Sequence, residues 1–224
     1  MDQGNRPWST RLLDLFFPPK CVFCGWLLRR GEEGICAACQ RDLPWIGGPA
    51  AEQRLEFVSL CASALWYQGA VRESFHRYKF KGRRGYAATY GRLVGQCARD
   101  HLSGRYDLIT WAPLSAQRRR ERGYDQAELL ARAAALELGG QVVETLVKEQ
   151  DRPAQSGLGH DDAVRRANVL GAYRIADPAR VAGKRVLLVD DVVTTGSTLS
   201  ECARVLRTAG AADVVCVTLA RARK

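Results

Sequence analysis

One segment near the end of this 224-residue chain limits the folds that the chain can adopt. Residues 186–199 read Val-Leu-Leu-Val-Asp-Asp-Val-Val-Thr-Thr-Gly-Ser-Thr-Leu. The four apolar residues 186–189 predict a buried strand, which leads through two acidic residues and a loop of hydroxyl residues and glycine into a predicted helix over 197–209. This order is typical of α/β folds, in which ligands bind at the carboxyl ends of the strands.

Strands and helices alternate along the chain from residue 57 onward. Apolar patterns predict strands over 57–67, 106–111, 141–147, 172–175, 186–189 and 213–219. They predict helices over 70–80, 86–102, 125–138 and 197–209. The alternation predicts an α/β domain with a mostly parallel, twisted sheet and helices on both faces.

Half of the eight cysteines form a C-x2-C-x11-C-x2-C array, consisting of Cys21, Cys24, Cys36 and Cys39. Without a predicted secretory signal, this spacing favours a metal site over disulfides, with a redox or incidental array as the alternative. Two knuckles would supply four thiolates to one zinc ion, and such a closed shell is structural because it leaves no position for water. The remaining cysteines, Cys61, Cys97, Cys202 and Cys216, are predicted to be small buried packing residues.

The segment after the array, residues 42–50, is rich in glycine and proline and breaks regular structure. We therefore predict a small zinc-binding module with its linker over 1–56 and the α/β domain over 57–224. The apolar run at 12–17 is too short and too polar for a signal peptide, and no window approaches about 18 uninterrupted apolar residues. The sequence thus predicts a cytoplasmic protein with no membrane insertion.

The net charge of +10 is concentrated in one part of the chain. Residues 72–122 hold thirteen basic and four acidic side chains, whereas residues 1–60 are neutral. Arginine dominates the basic stretch, and its planar head group suits bidentate contacts to phosphate. The stretch indicates a local anionic partner, with a solvated basic face as the alternative.

The loop after the predicted strand at 186–189 has the chemistry of a monophosphate site. A helix N-terminus offers unpaired backbone N–H groups and a positive dipole, hydroxyls add donors, and glycine allows close approach of the backbone. The acidic pair before the loop suits two neighbouring sugar hydroxyls, since carboxylates only accept hydrogen bonds. A phosphate beside a diol describes a ribose 5-phosphate. The phosphate-binding candidates are Thr194, Thr195, Gly196, Ser197 and Thr198, and the catalytic candidates are Asp190 and Asp191.

Competing interpretations of this segment fit the sequence less well. A Walker B strand also ends in acidic residues, but no G-x4-G-K-[ST] motif occurs in the chain. The acidic pair of a receiver domain lies early in its fold, whereas only 33 residues follow this pair. A purely structural turn is the remaining alternative.

The segment resembles the phosphoribosyl-pyrophosphate signature of type I phosphoribosyltransferases, and the chain is similar over nearly its full length to the ComF/GntX family. Further likeness lies in residues 78–82, 112–130 and 152–168. At 122–126 the family usually has Arg-Gly-Phe-Asn-Gln, whereas Tyr124 and Asp125 stand here, which places a carboxylate near the predicted site. The resemblance implies a four-cysteine zinc module followed by a phosphoribosyltransferase-like domain.

A pyrophosphate group and a ribose phosphate bring several negative charges, which Mg²⁺ partly neutralises. Basic residues that follow or flank predicted strands are candidates for a pyrophosphate clamp, with solvated surface charges as the alternative: Lys79, Lys81, Arg118 and Arg122. The polar stretch 148–169 is long for a connection within a domain, so a lid over the anion and an exposed loop are both open. Its lid candidates are Arg152, Gln155 and Arg165.

Three functions remain open on the sequence alone. The first is an enzyme that binds Mg-phosphoribosyl pyrophosphate and transfers the phosphoribosyl group to a nitrogen nucleophile. The second, which the resemblance implies, is a competence and DNA-uptake factor that binds single-stranded DNA or machinery proteins through the basic stretch. The third is a phosphoribosyl-pyrophosphate sensor without turnover. Aromatic residues that could stack DNA bases, although core positions are the favoured interpretation for them, are Trp66, Tyr78, Phe80, Tyr86 and Trp111.

Overall fold

The apolar strand predicted near residue 186 lies inside a five-stranded sheet. The computed structural model describes residues 18–149 and 169–223. Its strands are β1 (Glu52–Leu55), β2 (Val58–Trp66), β3 (Leu108–Trp111), β4 (Leu146–Lys148), β5 (Tyr173–Ile175), β6 (Arg185–Val193) and β7 (Asp213–Arg221). Its α-helices are α1 (Ala37–Asp42), α2 (Gly69–Phe80), α3 (Tyr86–Leu102), α4 (Ala116–Arg122), α5 (Gln126–Leu138) and α6 (Ser197–Thr208). Short 3-10 turns lie at Gly48–Ala51 and Pro178–Arg180.

The sheet has the order β1-β2-β7-β6-β3. Strands β2, β7, β6 and β3 are parallel to their neighbours, and β1 is an antiparallel edge strand beside β2. Strands β4 and β5 form a separate antiparallel pair. The predicted mostly parallel sheet is therefore confirmed.

Strand β6 alternates its side chains between two hydrophobic cores, as the two-residue period of a strand requires. Leu187 and Val189 face a core built from α2, α3 and α5, whereas Val186 and Leu188 face a core built around α6. All four side chains are fully buried. Because both faces of this strand are covered, its sequence is a continuous apolar run.

The structure corrects three of the predicted elements. Strand β6 continues four residues past its predicted end, because Asp190 and Val192 still pair with β7. The basic stretch at 116–122, which lies outside the predicted helices, is helix α4, whose first turn is capped where the Ser115 hydroxyl accepts the Arg118 N–H. Most of the strand predicted over 141–147 is absent from the sheet, where Val142 makes only an isolated bridge to Ile109.

Residues 52–55, which we assigned to the linker, form the edge strand β1. Glu52 lies opposite Ala62 of β2 in this pairing. The segment between the four-cysteine module and the main domain is thus built into the sheet.

Helices α3 and α5 approach each other closely through glycine. A Cβ atom on Gly91 would lie 2.3 Å from the Cβ atom of Ala133 and 2.7 Å from its carbonyl carbon. A Cβ atom on Gly95 would lie 2.8 Å from the Cβ atom of Glu137. The spacing between the two helices therefore depends on the absence of side chains at these positions.

Replacing Gly91 with alanine tests this contact. We expect the free energy of unfolding, measured by urea denaturation, to fall by about 1–3 kcal/mol, because the new methyl group forces the helix backbones apart. Gly85→Ala is the matched control, since this residue caps the same helix with right-handed backbone angles and has nothing within 4 Å of its Cβ position. Equal stability of the two variants would contradict the close packing.

Candidate functional site

The acidic pair lies within β6 rather than after it. Successive strand residues point to opposite faces, so Asp190 shares the face of Leu188 and Asp191 that of Val189. The Asp191 carboxylate meets the Lys79 ammonium of α2 at 2.7 Å, and the two side chains are 12% and 22% exposed. The predicted acidic pair and one predicted clamp residue are thus brought together, although the sequence did not indicate their ion pair.

Burial raises the pKa of Asp190 to about 8, and the neighbouring charge of Asp191 adds to this shift. Two contacts oppose it, namely the Asp191 N–H, which donates to Oδ1 of Asp190 at 2.7 Å, and the positive charge of Lys79. The raised pKa favours the protonated form of Asp190, in which the carboxyl group can donate a hydrogen bond as well as accept one.

The predicted phosphate loop joins β6 to α6. Gly196 has a φ of 85° and, as the N-cap residue, offers no side chain to the helix. The Ser197 N–H donates to the Thr195 hydroxyl at 3.3 Å, and the remaining N–H groups of the first turn of α6 form the kind of N-terminus that anions favour. The hydroxyls of Thr195 and Ser197 lie 2.8 Å apart, and both residues are partly exposed. Thr194 is exposed and Thr198 is partly exposed, so the hydroxyls predicted to bind phosphate are accessible.

Three of the four clamp candidates line one cavity of about 240 Å³: Lys79, Arg118 and Arg122. Lys81 is exposed and does not line it. Arg122 is held in place by Gln126, whose side-chain oxygen accepts from Nη1 at 2.8 Å, a role that sequence reasoning missed. Since Lys79 lines the cavity and also pairs with Asp191, it connects the basic cavity to the acidic pair.

Asp125 binds backbone N–H groups, and its charge adds to the raised pKa of Asp190. One carboxylate oxygen accepts the N–H groups of Ala127 and Glu128 and so caps α5, while the other accepts the Leu114 N–H at 2.7 Å. The residue is 3% exposed, and burial raises its pKa. The carboxylate that replaces the usual asparagine of the family is therefore turned toward three backbone N–H groups. The lid candidates Arg152, Gln155 and Arg165 lie outside the described residues.

The sulfur atoms of all four cysteines of the array lie within 4.8 Å of one another. The Cys24 and Cys36 sulfurs are 3.6 Å apart, close to the roughly 3.8 Å expected between thiolates bound at about 2.3 Å from one tetrahedral zinc ion. The Gly25 N–H donates to the Cys21 carbonyl in a tight knuckle. Although burial opposes it, backbone N–H groups lower the pKa of Cys21 to about 7, whereas burial raises the pKa of Cys24 and Cys39. These residues fit a structural zinc ion.

The other cysteines, Cys61, Cys97, Cys202 and Cys216, are buried, in agreement with their predicted packing role. Burial raises the pKa of the Cys61 and Cys97 thiols to about 12. Among the described residues, no helix has the length and apolar character needed to cross a membrane.

Substitution of one array cysteine tests the zinc site. We expect wild-type protein to hold about one zinc ion per chain, and Cys24→Ser to lose most of it, because three thiolates bind a structural ion far more weakly than four. Zinc is measured by atomic absorption after dialysis. Cys97→Ala, which removes a thiol from the core of the main domain, is expected to keep the full zinc content. Equal zinc content in all three proteins would contradict this assignment.

Asp190→Asn is expected to stabilise the fold, and more so as the pH rises. An acid whose pKa is about 8 when folded and near its ordinary 3.8 when unfolded keeps its proton on folding. Wild-type stability therefore falls between about pH 4 and pH 8, by at most about 1.4 kcal/mol per pH unit from this group, whereas asparagine carries no such cost.

The measurement is urea denaturation of both proteins at pH 5, 6, 7 and 8. Asp100→Asn, at an exposed position of α3, serves as the control and should follow the wild-type profile. A difference between Asp190→Asn and wild type that stays constant over this range would show that the pKa of Asp190 is not raised.

Two family models match the chain. The double zinc ribbon domain matches residues 12–53, and the phosphoribosyl transferase domain matches residues 125–224. The second match contains β6, the acidic pair and the loop to α6. The described fold thus consists of a four-cysteine module followed by a mostly parallel sheet of the type I phosphoribosyltransferase class.

Curated relatives match over most of their length. Competence protein F of Haemophilus influenzae is 30% identical and covers 92% of this chain and 99% of the relative. DNA utilization protein YhgH of Salmonella typhimurium is 32% identical over 89% of this chain and 96% of the relative. Competence protein ComFC of Streptococcus pneumoniae is 26% identical over 90% of this chain and its own full length.

Solved structures with the same kind of domain are more distant. Glutamine phosphoribosylpyrophosphate amidotransferase from B. subtilis is 21% identical, with a TM-score of 0.43 over 64% of this chain and 30% of that one. Adenine phosphoribosyltransferase from Thermoanaerobacter pseudethanolicus is 20% identical, with a TM-score of 0.36 over 57% of this chain and 77% of that one. The full-length matches to the curated relatives, together with both family models, show that the chain belongs to the ComF/GntX family of competence protein F.

Proposed function

We propose that the protein binds Mg-phosphoribosyl pyrophosphate at the carboxyl end of β6. The observation that carries this proposal is the continuity of β6, which holds the acidic pair and ends at Val193, four residues before α6 begins at Ser197. The 5-phosphate would bind at residues 194–198, and the ribose hydroxyls at Asp190 and Asp191. The pyrophosphate would enter the cavity lined by Lys79, Arg118 and Arg122.

Lys79 gives this site a way to respond to its ligand. Without ligand, its ammonium group neutralises Asp191 at 2.7 Å. A pyrophosphate group in the adjoining cavity offers Lys79 a second anion, which leaves the oxygens of Asp191 open to the O–H donors of the sugar. Asp190 can donate to or accept from the same diol, because its raised pKa keeps a proton within reach at neutral pH.

Magnesium fits the oxygen-rich character of this edge. Asp191, and Asp190 once it has lost its proton, would hold the ion together with ligand oxygens, and the ion would supply positive charge to the pyrophosphate. The described residues supply the remaining neutralisation through the basic cavity.

Transfer of the phosphoribosyl group would follow from this arrangement. The bond between the anomeric carbon and the pyrophosphate oxygen breaks, a bond to a nitrogen nucleophile forms, and the nitrogen loses a proton. The transition state carries positive charge on the sugar and negative charge on the leaving group, so the protein acts by positioning the ring and by stabilising pyrophosphate with Lys79, Arg118 and Arg122. A sensor without turnover would use the same binding step. The reduced thiolates of the zinc module favour action in the cytoplasm.

Calorimetric titration of zinc-loaded protein with phosphoribosyl pyrophosphate and Mg²⁺ tests the proposal. We expect micromolar binding, and its loss by at least about 100-fold in Asp190→Asn plus Asp191→Asn, since both diol acceptors are weakened. Asp107→Asn, which changes an exposed acid before β3 at the amino ends of the parallel strands, should leave binding unchanged.

No binding at millimolar ligand by folded, zinc-loaded protein would overturn the proposal. Binding that survives the double substitution would show that the ligand lies elsewhere. Where binding is found, release of pyrophosphate with a panel of nitrogen nucleophiles separates an enzyme from a sensor.

A second candidate function is DNA binding by the surface around α4. Its support is Phe80, which is 59% exposed and lies 5.3 Å from the Arg122 guanidinium. The other aromatic candidates are less available, because Tyr78 and Trp111 are buried and Trp66 is covered by guanidinium groups at 4.7 and 4.9 Å. One exposed ring among arginines is the arrangement that single strands use for stacking and phosphate contacts.

Single-stranded oligonucleotide titrations at several salt concentrations test this candidate. Replacing Arg119 and Arg120 of α4 with methionine should weaken binding. It should also reduce the slope of log affinity against log salt concentration by the equivalent of about two phosphate contacts. The double aspartate variant should bind DNA as wild type does. An unchanged slope after the arginine substitutions would contradict a role for α4.

A further inference from the structure

Helix α2 is fastened to the first zinc knuckle by two polar side chains. The Ser74 hydroxyl donates to the carbonyl of Val22, and it also shares a hydrogen bond with the Tyr90 hydroxyl. The Arg77 guanidinium donates from Nη2 to the carbonyls of Val22 and Phe23, at 3.2 and 2.5 Å. Val22 and Phe23 are the two residues between the first pair of zinc-binding cysteines.

The next half-turn of α2 reaches the proposed ligand site. Lys79 meets Asp191, and its ammonium lies 5.6 Å from the Phe75 ring centre. The Tyr78 hydroxyl donates to the Gln126 carbonyl at 3.0 Å. Gln126 in turn holds Arg122 at the basic cavity.

Aromatic rings fill the space between these two ends of α2. The ring of Phe23 lies 5.7 Å from that of Tyr90, which stacks on Phe75 at 5.3 Å. Tyr90 also meets Tyr78 edge-on at 5.3 Å. These four rings are at most 1% exposed. Because the rings are closely packed, a shift of the knuckle must displace the neighbouring side chains.

We propose that Arg77 is a positioning residue that couples the four-cysteine site to the Lys79–Asp191 pair, so that metal occupancy and sugar-phosphate binding reinforce each other. The binding half of this inference rests on the proposed function. The path is short, because Arg77 and Lys79 are two residues apart on one helix. A zinc ion on Cys21 and Cys24 fixes the knuckle whose carbonyl groups Arg77 binds.

The burial of Arg77 supports this role. Within residues 18–149 and 169–223, its Nε is the buried side-chain polar atom without a hydrogen-bond partner. An unpaired buried donor is costly, and a hydrophobic side chain at this position would avoid the cost. Nη2 of Arg77 binds two carbonyl groups of the knuckle at once, a geometry that a lysine ammonium group matches less well. This contact explains why arginine stands at this position.

The rate at which an amine-acylating reagent labels Lys79 measures this coupling directly. Peptide mass spectrometry gives the labelling rate of Lys79 relative to Lys184, an exposed lysine before β6. In zinc-loaded Arg77→Met we expect Lys79 to label about fivefold faster than in wild type, because the ion pair with Asp191 is held less firmly. Arg77→Lys should restore part of the protection.

Arg72→Met is the matched control, since it removes the same side chain from an exposed position of the same helix. Its Lys79 should label at the wild-type rate. Zinc content and circular dichroism establish that each variant is loaded and folded. Should Arg77→Met lose zinc or fold poorly, Ser74→Ala replaces it, with a smaller expected increase because only one carbonyl contact is lost.

A second readout measures the coupling in both directions. In wild type, phosphoribosyl pyrophosphate with Mg²⁺ should raise zinc affinity, determined by competition with a chromophoric chelator, by the same factor by which zinc raises the ligand affinity. In Arg77→Met both factors should fall toward one while each site still binds its own ligand.

The inference would be overturned if Lys79 of zinc-loaded Arg77→Met were labelled at the wild-type rate. The same holds for Ser74→Ala where that variant replaces Arg77→Met. Equal coupling factors in Arg77→Met and wild type would also overturn it. If wild type does not bind phosphoribosyl pyrophosphate but Arg77→Met still exposes Lys79, the proposed function and the binding half of the inference fail. The positioning of Lys79 by Arg77 then stands. The two failures are therefore distinguishable.

Discussion

Pairing between β6 and β7 governs the geometry of the site. The two strands remain in register from Arg185 opposite Asp213 to Val193 opposite Arg221. This backbone pairing does not depend on side-chain polarity, so it carries the strand through two acidic residues that would otherwise break an apolar run. As a result the acidic pair is held by the sheet, and the loop to α6 begins only where the hydrogen bonds end. Rigid placement of this kind is what a binding site for a charged ligand requires.

Helix α2 gives the molecule a second organising element. One of its faces enters the core, its polar side chains hold the backbone of the zinc module, and its last turn supplies Lys79 to the sheet. The module is consequently packed into the main domain rather than attached by a tether, since Val22 and Phe23 belong to the same core as Leu187 and Val189. A structural metal in such a position stabilises the surroundings of a binding site as well as its own loop.

The sequence predicts the parts of the fold that depend on local pattern. The α/β class, the four-cysteine cluster and the start of α6 follow from apolar periodicity, spacing and glycine. The end of β6 does not, because Asp190 and Asp191 interrupt the pattern while the pairing with β7 continues. Helix α4 escapes prediction because it buries none of its residues and has no apolar stripe, so its cap at Ser115 is the main local signal.

Long-range contacts at the site are beyond sequence patterns. Lys79 and Asp191 are brought together by the way α2 packs on the sheet, and the local sequence around either residue does not predict their contact. Asp125 is a different case, because an aspartate directly before a predicted helix is a typical N-cap. This capping role is predictable from the local sequence, whereas the bond from the Leu114 N–H to the same carboxylate depends on the fold.

The contact between β1 and the loop that joins β6 to α6 limits where the chain can be truncated. Leu55 lies where a side chain on Gly196 would be, 2.7 Å from the position of its Cβ atom. A fragment that begins after residue 56 would remove this leucine from the loop and expose the unpaired edge of β2 to other chains. The fragment would therefore lack one wall of the loop between β6 and α6 and carry an exposed strand edge that favours aggregation.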